Sequence, residues 1–61
     1  VLIEKVEKGK FYDIEWVDGH IVKNCVFVRK HREFFIFLDE NKMKIICRPE
    51  SIKMVLDTKQ V

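Results

Sequence analysis

Phe11-Tyr12-Asp13-Ile14-Glu15-Trp16-Val17, then Asp18-Gly19, then His20-Ile21-Val22, is the stretch on which the fold is read. Tyr12, Ile14 and Trp16 alternate with Asp13 and Glu15, the period of two that gives a strand one dry and one wet face. Asp18-Gly19 stands between two apolar-rich segments. Asp tolerates and Gly freely adopts positive φ, so the pair suits a two-residue hairpin loop. A strand, a tight turn and a returning strand are expected.

The returning segment, His20 to Val28, is rich in β-branched residues and apolar on both faces. Strict alternation puts Ile21 and Cys25 with Lys23 and Phe27, and Val22, Val26 and Val28 with Asn24. Such a strand is central, or bent across a barrel corner, and a domain this small favours the bend. Arg29-Lys30-His31-Arg32 reads as a polar tip, Glu33 to Leu38 as a strand, Asp39 to Lys42 as a turn and Met43 to Cys47 as another strand. Pro49 in Arg48-Pro49-Glu50-Ser51 cannot donate to a ladder and marks a break. Ile52, Met54 and Leu56 alternate with Lys53 and Val55 as a last strand. A helix over Glu50 to Leu56 is the rival, because proline suits a first helical position. Leu2 to Glu7 reads as an edge strand or a helical turn, and Asp57 to Val61 as a frayed polar tail. Together these segments predict an all-β fold: a small five- to six-stranded SH3-like or Sm-like barrel with at most one short helical turn.

With 61 residues the chain is expected to form a single domain over 1–61. A chain of this length buries only about 60% of the surface its unfolded form exposes, so a staple or a partner chain would help it. Cys25 and Cys47, the two cysteines, each sit in an apolar run and read as reduced core thiols rather than a disulfide. Neither has a second Cys or a His at the spacing of a zinc site, so no metal is expected. Twelve Lys and Arg against ten Asp and Glu leave a net charge of +2, too mild to name a partner. No apolar run approaches the roughly 20 residues of a membrane span, and Val1-Leu2-Ile3-Glu4 lacks the pattern of a signal peptide. A cytoplasmic setting without membrane association is the expectation.

Catalysis finds little support. Ser51 is the single serine and has no nucleophile-elbow context. His20 and His31 lie at opposite ends of one expected strand, and a thiol inside an apolar strand is usually inert. Asp13 and Glu15 share a face, as charges on exposed strand faces routinely do. No enzyme and no cofactor are expected. The sharpest charge feature is the basic run Arg29, Lys30, His31 and Arg32. Cations clustered on a loop can neutralise phosphates and release counterions, and His31 could stack on a base. Phe35 and Phe37 point to one side of their strand and Phe34 to the other, so one face is core and the second needs cover from the bent sheet, a second subunit or bases. Trp16 and Tyr12 read as core rather than as an aromatic cage.

Ile14-Glu15-Trp16-Val17-Asp18-Gly19 followed by a long β-branched strand resembles the opening of Sm-like proteins, including the Hfq-like bacterial type. Ile45-Ile46-Cys47-Arg48-Pro49-Glu50-Ser51-Ile52 is similar to their closing block, where an Arg or a Lys-His pair precedes a short Ile-Val strand. The likeness covers Phe11 to Leu56, and related SH3-like barrels end in comparable ways. Asn24 stands where Sm-like proteins usually carry glycine, and the Asp and Asn of their nucleotide-binding loop are replaced by Arg29-Lys30-His31-Arg32. The resemblance implies barrel topology, and an RNA contact at Arg48 alone. The reading from sequence is therefore a non-catalytic nucleic-acid-binding barrel, RNA favoured over DNA, contacting its ligand through Arg29, Lys30, His31, Arg32 and Arg48. The alternative is a protein-interaction or assembly module that uses an apolar strand edge. A homo-oligomer formed through strand edges is expected on either reading.

Overall fold

The period-two segments fold as read into five antiparallel strands of one sheet: β1 (Phe11–Trp16), β2 (Ile21–His31), β3 (Phe34–Leu38), β4 (Lys44–Cys47) and β5 (Ile52–Asp57). The structure, a computed structural model, describes residues 1–58. The strand order is β4-β3-β2-β1-β5. The fold is all-β and barrel-like, and its helical content is two three-residue 3-10 turns, Ile3–Lys5 and Pro49–Ser51. Leu2 to Glu7 thus resolves into the helical-turn option, with Ile3 buried against the core. The helical alternative for Glu50 to Leu56 stops after one turn, and the chain continues from Ile52 as β5. Asp57 closes β5, and Thr58 donates its N–H to the Phe11 carbonyl. The rest of the expected polar tail, 59–61, lies outside the described residues.

Tyr12, Ile14, Cys25, Phe37, Cys47 and Val55 are the most fully buried side chains, and Phe27 and Phe35 join them. The Tyr12 and Phe37 rings meet edge-on at 6.3 Å, and Phe27 packs against both Phe35 and Phe37. Tyr12 can be buried because its hydroxyl has a partner: it accepts the Glu7 backbone N–H at 2.9 Å. Both cysteines are free thiols, and burial pushes Cys25 up to about 11 and Cys47 up to about 12. They act as small hydrophobes. Trp16 is half-buried at the end of the barrel, its ring 5.6 Å from that of His20.

Three local expectations change. The Asp18-Gly19 join is a three-residue loop, closed by the Trp16 N–H on the His20 carbonyl and the Gly19 N–H on the Trp16 carbonyl. Only Gly19 has positive φ there (94°), while the Asp18 carboxylate accepts the His20 N–H. A turn followed by one left-handed glycine is the other common hairpin geometry, and it asks nothing unusual of Asp.

The second change concerns β2. Its pairing shifts twice, between the Tyr12 and Ile14 partners and again between Phe27 and Arg29. Ile21 pairs with Glu15 on the wet side, whereas Cys25 pairs with Tyr12 in the core, so Ile21 and Cys25 do not share a face. The extra residue is absorbed where Asn24 takes φ 60°, a left-handed conformation that Asn tolerates better than most residues. Asp13 secures it by accepting the Asn24 N–H at 2.9 Å. Beyond this point β2 is shared between two neighbours: Ile21 to Val26 pair with β1, and Val26 to His31 pair with β3. β2 is thus the central strand of a single sheet, the other of the two expected options, with a neighbour on each side and apolar residues on both faces.

The third change is the tip. Arg29, Lys30 and His31 are not in a loop but form the end of β2, paired with Ile36, Phe35 and Phe34. Only Arg32 and Glu33 make the turn, with Arg32 at φ 56°.

Candidate nucleic-acid interface

Directly opposed residues of antiparallel strands point to the same side of the sheet, and alternate residues of one strand do so as well. The pairing of β2, β3 and β4 therefore sorts the basic residues. Phe27, Phe37 and Ile45 form one inward row, and Lys30, Phe35 and Cys47 form the next. Between and beyond them run three outward rows: Val26, Leu38 and Lys44; Arg29, Ile36 and Ile46; and His31 with Phe34, extended by Arg48. Arg48 belongs to the last row because its guanidinium carbon lies 5.2 Å from the Phe34 ring centroid.

This outward block contains four basic side chains, Arg29, His31, Lys44 and Arg48, and no Asp or Glu. All four are exposed. Among the described residues, neither Arg29 nor Arg48 has a carboxylate within ion-pair distance; the two ion pairs found are Lys10 with Glu7 and Lys53 with Glu15. The basic side chains stand on β2, on β4 and, for Arg48, just past the end of β4, on both sides of an apolar ridge on β3 formed by Phe34, Ile36 and Leu38. Neighbouring strands lie about 4.8 Å apart and residues two apart on a strand about 6.8 Å apart, so charges and ridge lie within reach of a few nucleotides. Ile36 is buried by its neighbours and Phe34 is half-exposed, while Ile46 on β4 is 57% exposed.

Of the residues expected from sequence, Arg29, His31 and Arg48 come together on this face. Lys30 does not. It shares a side with Phe35, and its Nζ sits 5.2 Å from that ring. Arg32 is at the exposed hairpin turn, beside the block rather than in it. Sequence reasoning missed Lys44, Ile46 and the role of Phe34. Lys44, Ile46 and Arg48 have the same parity along one chain segment, a signal present in the sequence but meaningful only once β4 has a partner.

Among the described residues, no three His, Cys, Asp or Glu side chains group to hold a metal ion. The carboxylates of β1 are engaged structurally: Asp13 accepts the Thr58 hydroxyl at 2.6 Å and the Asn24 N–H, and these bonds hold it below the usual carboxylate range. No family model, curated protein or solved structure matches the chain.

Proposed function

We propose that the protein binds nucleic acid non-catalytically through the outward face of β2, β3 and β4. The observation that carries this reading is the acid-free block itself. In a chain with nearly balanced charge, four basic side chains flank an aromatic and aliphatic ridge with no carboxylate among them. Such a surface suits a polyanion with apolar bases: Arg29, Lys44 and Arg48 neutralise phosphates, while Phe34 offers a ring for stacking under the Arg48 guanidinium. Arg32 shares the exposed turn with Glu33 beside this surface, and His31 stands opposite Phe34. Lys30 has no part in this surface.

RNA is the favoured ligand over DNA, on the resemblance to Sm-like proteins at Arg48. The assignment to Sm-like or SH3-like barrels is supported by the strand order, by the 3-10 turn after β4 and by the left-handed Asn24 at the position where that family places glycine. Titration of labelled single-stranded RNA, single-stranded DNA and duplex at two salt concentrations tests the proposal. Binding that weakens steeply with salt is expected. A protein that binds none of the three overturns it. A second reading, association with a protein partner, has one observation in its favour: Ile46 is exposed on β4, a strand at the sheet's margin.

A further inference from the structure

The outward surface of β1, of the first half of β2 and of β5 has a different character. Ile21 and Met54 both pair with Glu15, and Leu56 pairs with Asp13, so these apolar side chains lie on one side of the sheet. They are 54%, 43% and 51% exposed. They border a shallow groove of about 240 Å³ together with Asp13, Glu15 and Lys23. Lys53 reaches the same surface, its Nζ 3.7 Å from Glu15 Oε2.

We infer that this face is the contact through which two copies of the chain associate, by a two-fold axis that places it against itself. The occupant follows from charge. Two acids, Asp13 and Glu15, and two lysines, Lys23 and Lys53, alternate around three exposed apolar side chains. In an isologous contact each patch meets its own copy, so lysines of one copy can oppose carboxylates of the other and the apolar residues are covered. The face on β2, β3 and β4 cannot do this: Arg29, Lys44 and Arg48, with no acid in their rows, would meet the same three cations. A small domain that leaves Ile21, Met54 and Leu56 in water gains from covering them. The contact is made by faces, so the unpaired edges of β4 and β5 are not needed for it, and the basic block of each copy stays open.

Sedimentation equilibrium at high-micromolar protein tests the inference, with folding of each variant checked by circular dichroism. The wild type should run near twice the monomer mass. Met54→Lys with Leu56→Lys should run as a folded monomer, and Ile46→Lys, on the opposite face, should remain a dimer. A monomeric wild type overturns the inference and assigns the face to some other occupant. A Met54→Lys, Leu56→Lys variant that still dimerises overturns it too, and moves the association to the strand edges. Both readouts are independent of nucleic acid, so their outcome does not depend on the ligand proposed above.

Discussion

The outer surface of the sheet divides along its central strand β2, and its two sides differ in charge rather than in apolar content. Toward β4, Arg29, His31, Lys44 and Arg48 stand around Phe34 and Ile46 with no acid in their paired rows, and Asp39 and Glu40 border the block only at its Val26–Leu38 end. Toward β5, Asp13 and Glu15 lie among Lys23, Lys53, Ile21, Met54 and Leu56. Both sides lie over the same core. A net charge of +2 conceals the division. The lesson is that partner choice in a small barrel depends on how alternation and bulges sort charges between faces, not on the total.

Removing the shared support should affect both faces equally. Phe37 is fully buried and packs on Tyr12 and Phe27. Phe37→Ala should cost about 3–5 kcal/mol, comparable to the stability of a domain this size. Urea unfolding should find it mostly unfolded in buffer, with nucleic-acid binding and self-association lost together.

Charge reversal should separate the faces. Arg29→Glu with Arg48→Glu should lower nucleic-acid affinity by about a hundredfold or more, taking roughly 1.5–3 kcal/mol per charged hydrogen bond. The log–log salt slope should flatten by about 0.7–0.9 per lost phosphate. The matched pair on the other face, Lys23→Glu with Lys53→Glu, should leave affinity within a few-fold. Equal losses from both pairs, read by fluorescence anisotropy, would show a diffuse field instead of a face.

Asn24 tests the bulge in the strand that divides them. Its φ of 60° is costly for a residue with an ordinary Cβ, so Asn24→Ala should destabilise by about 1–2 kcal/mol. Asn24→Gly should be neutral or slightly stabilising, because glycine enters that region freely. Thermal melts of the two variants distinguish the cases, and a tolerated Asn24→Val would disprove the assigned conformation.

The smallest effect concerns pH. Asp13 is held below its ordinary value of 3.8, first by the Thr58 hydroxyl and then by the Asn24 N–H. A carboxyl lowered in the folded state contributes stability that is complete above its unfolded value and is lost as pH falls through its folded value. Asp13→Asn should therefore be modestly less stable than the wild type near neutrality, and the two should converge as pH falls below about 3.8, the variant showing the shallower acid limb. Lys23 also favours the ionised form, so Lys23→Glu should bring the folded-state value back toward the ordinary one and flatten the acid limb slightly.

Much of this architecture was legible along the chain. The alternation of Tyr12, Ile14 and Trp16, the punctuation by Gly9, Gly19 and Pro49, and the apolar Phe35 and Phe37 give strands with one buried face, and five such strands follow. Alternation is a local consequence of backbone geometry, so it survives without knowledge of partners. Arg29, His31 and Arg48 were legible as cations but not as neighbours. The expected loop became strand because His31, Lys30 and Arg29 found partners in Phe34, Phe35 and Ile36, and pairing is not a property of a segment alone.

Local chemistry therefore settled the all-β class, the rough positions of the strands and the burial of Tyr12, Phe35 and Phe37, since each depends on residues a few positions apart. Which side of the sheet each charge occupies was decided only in the folded state. A single bulge reverses the facing of every residue beyond it, and the bulge at Asn24 is stabilised by Asp13, eleven residues away on another strand. Likewise Arg48 reaches Phe34, and Lys44 and Ile46 join Arg29, only because β3 lies between β2 and β4. Long-range pairing converts a scattered set of basic residues into one face, and no window of sequence contains that information.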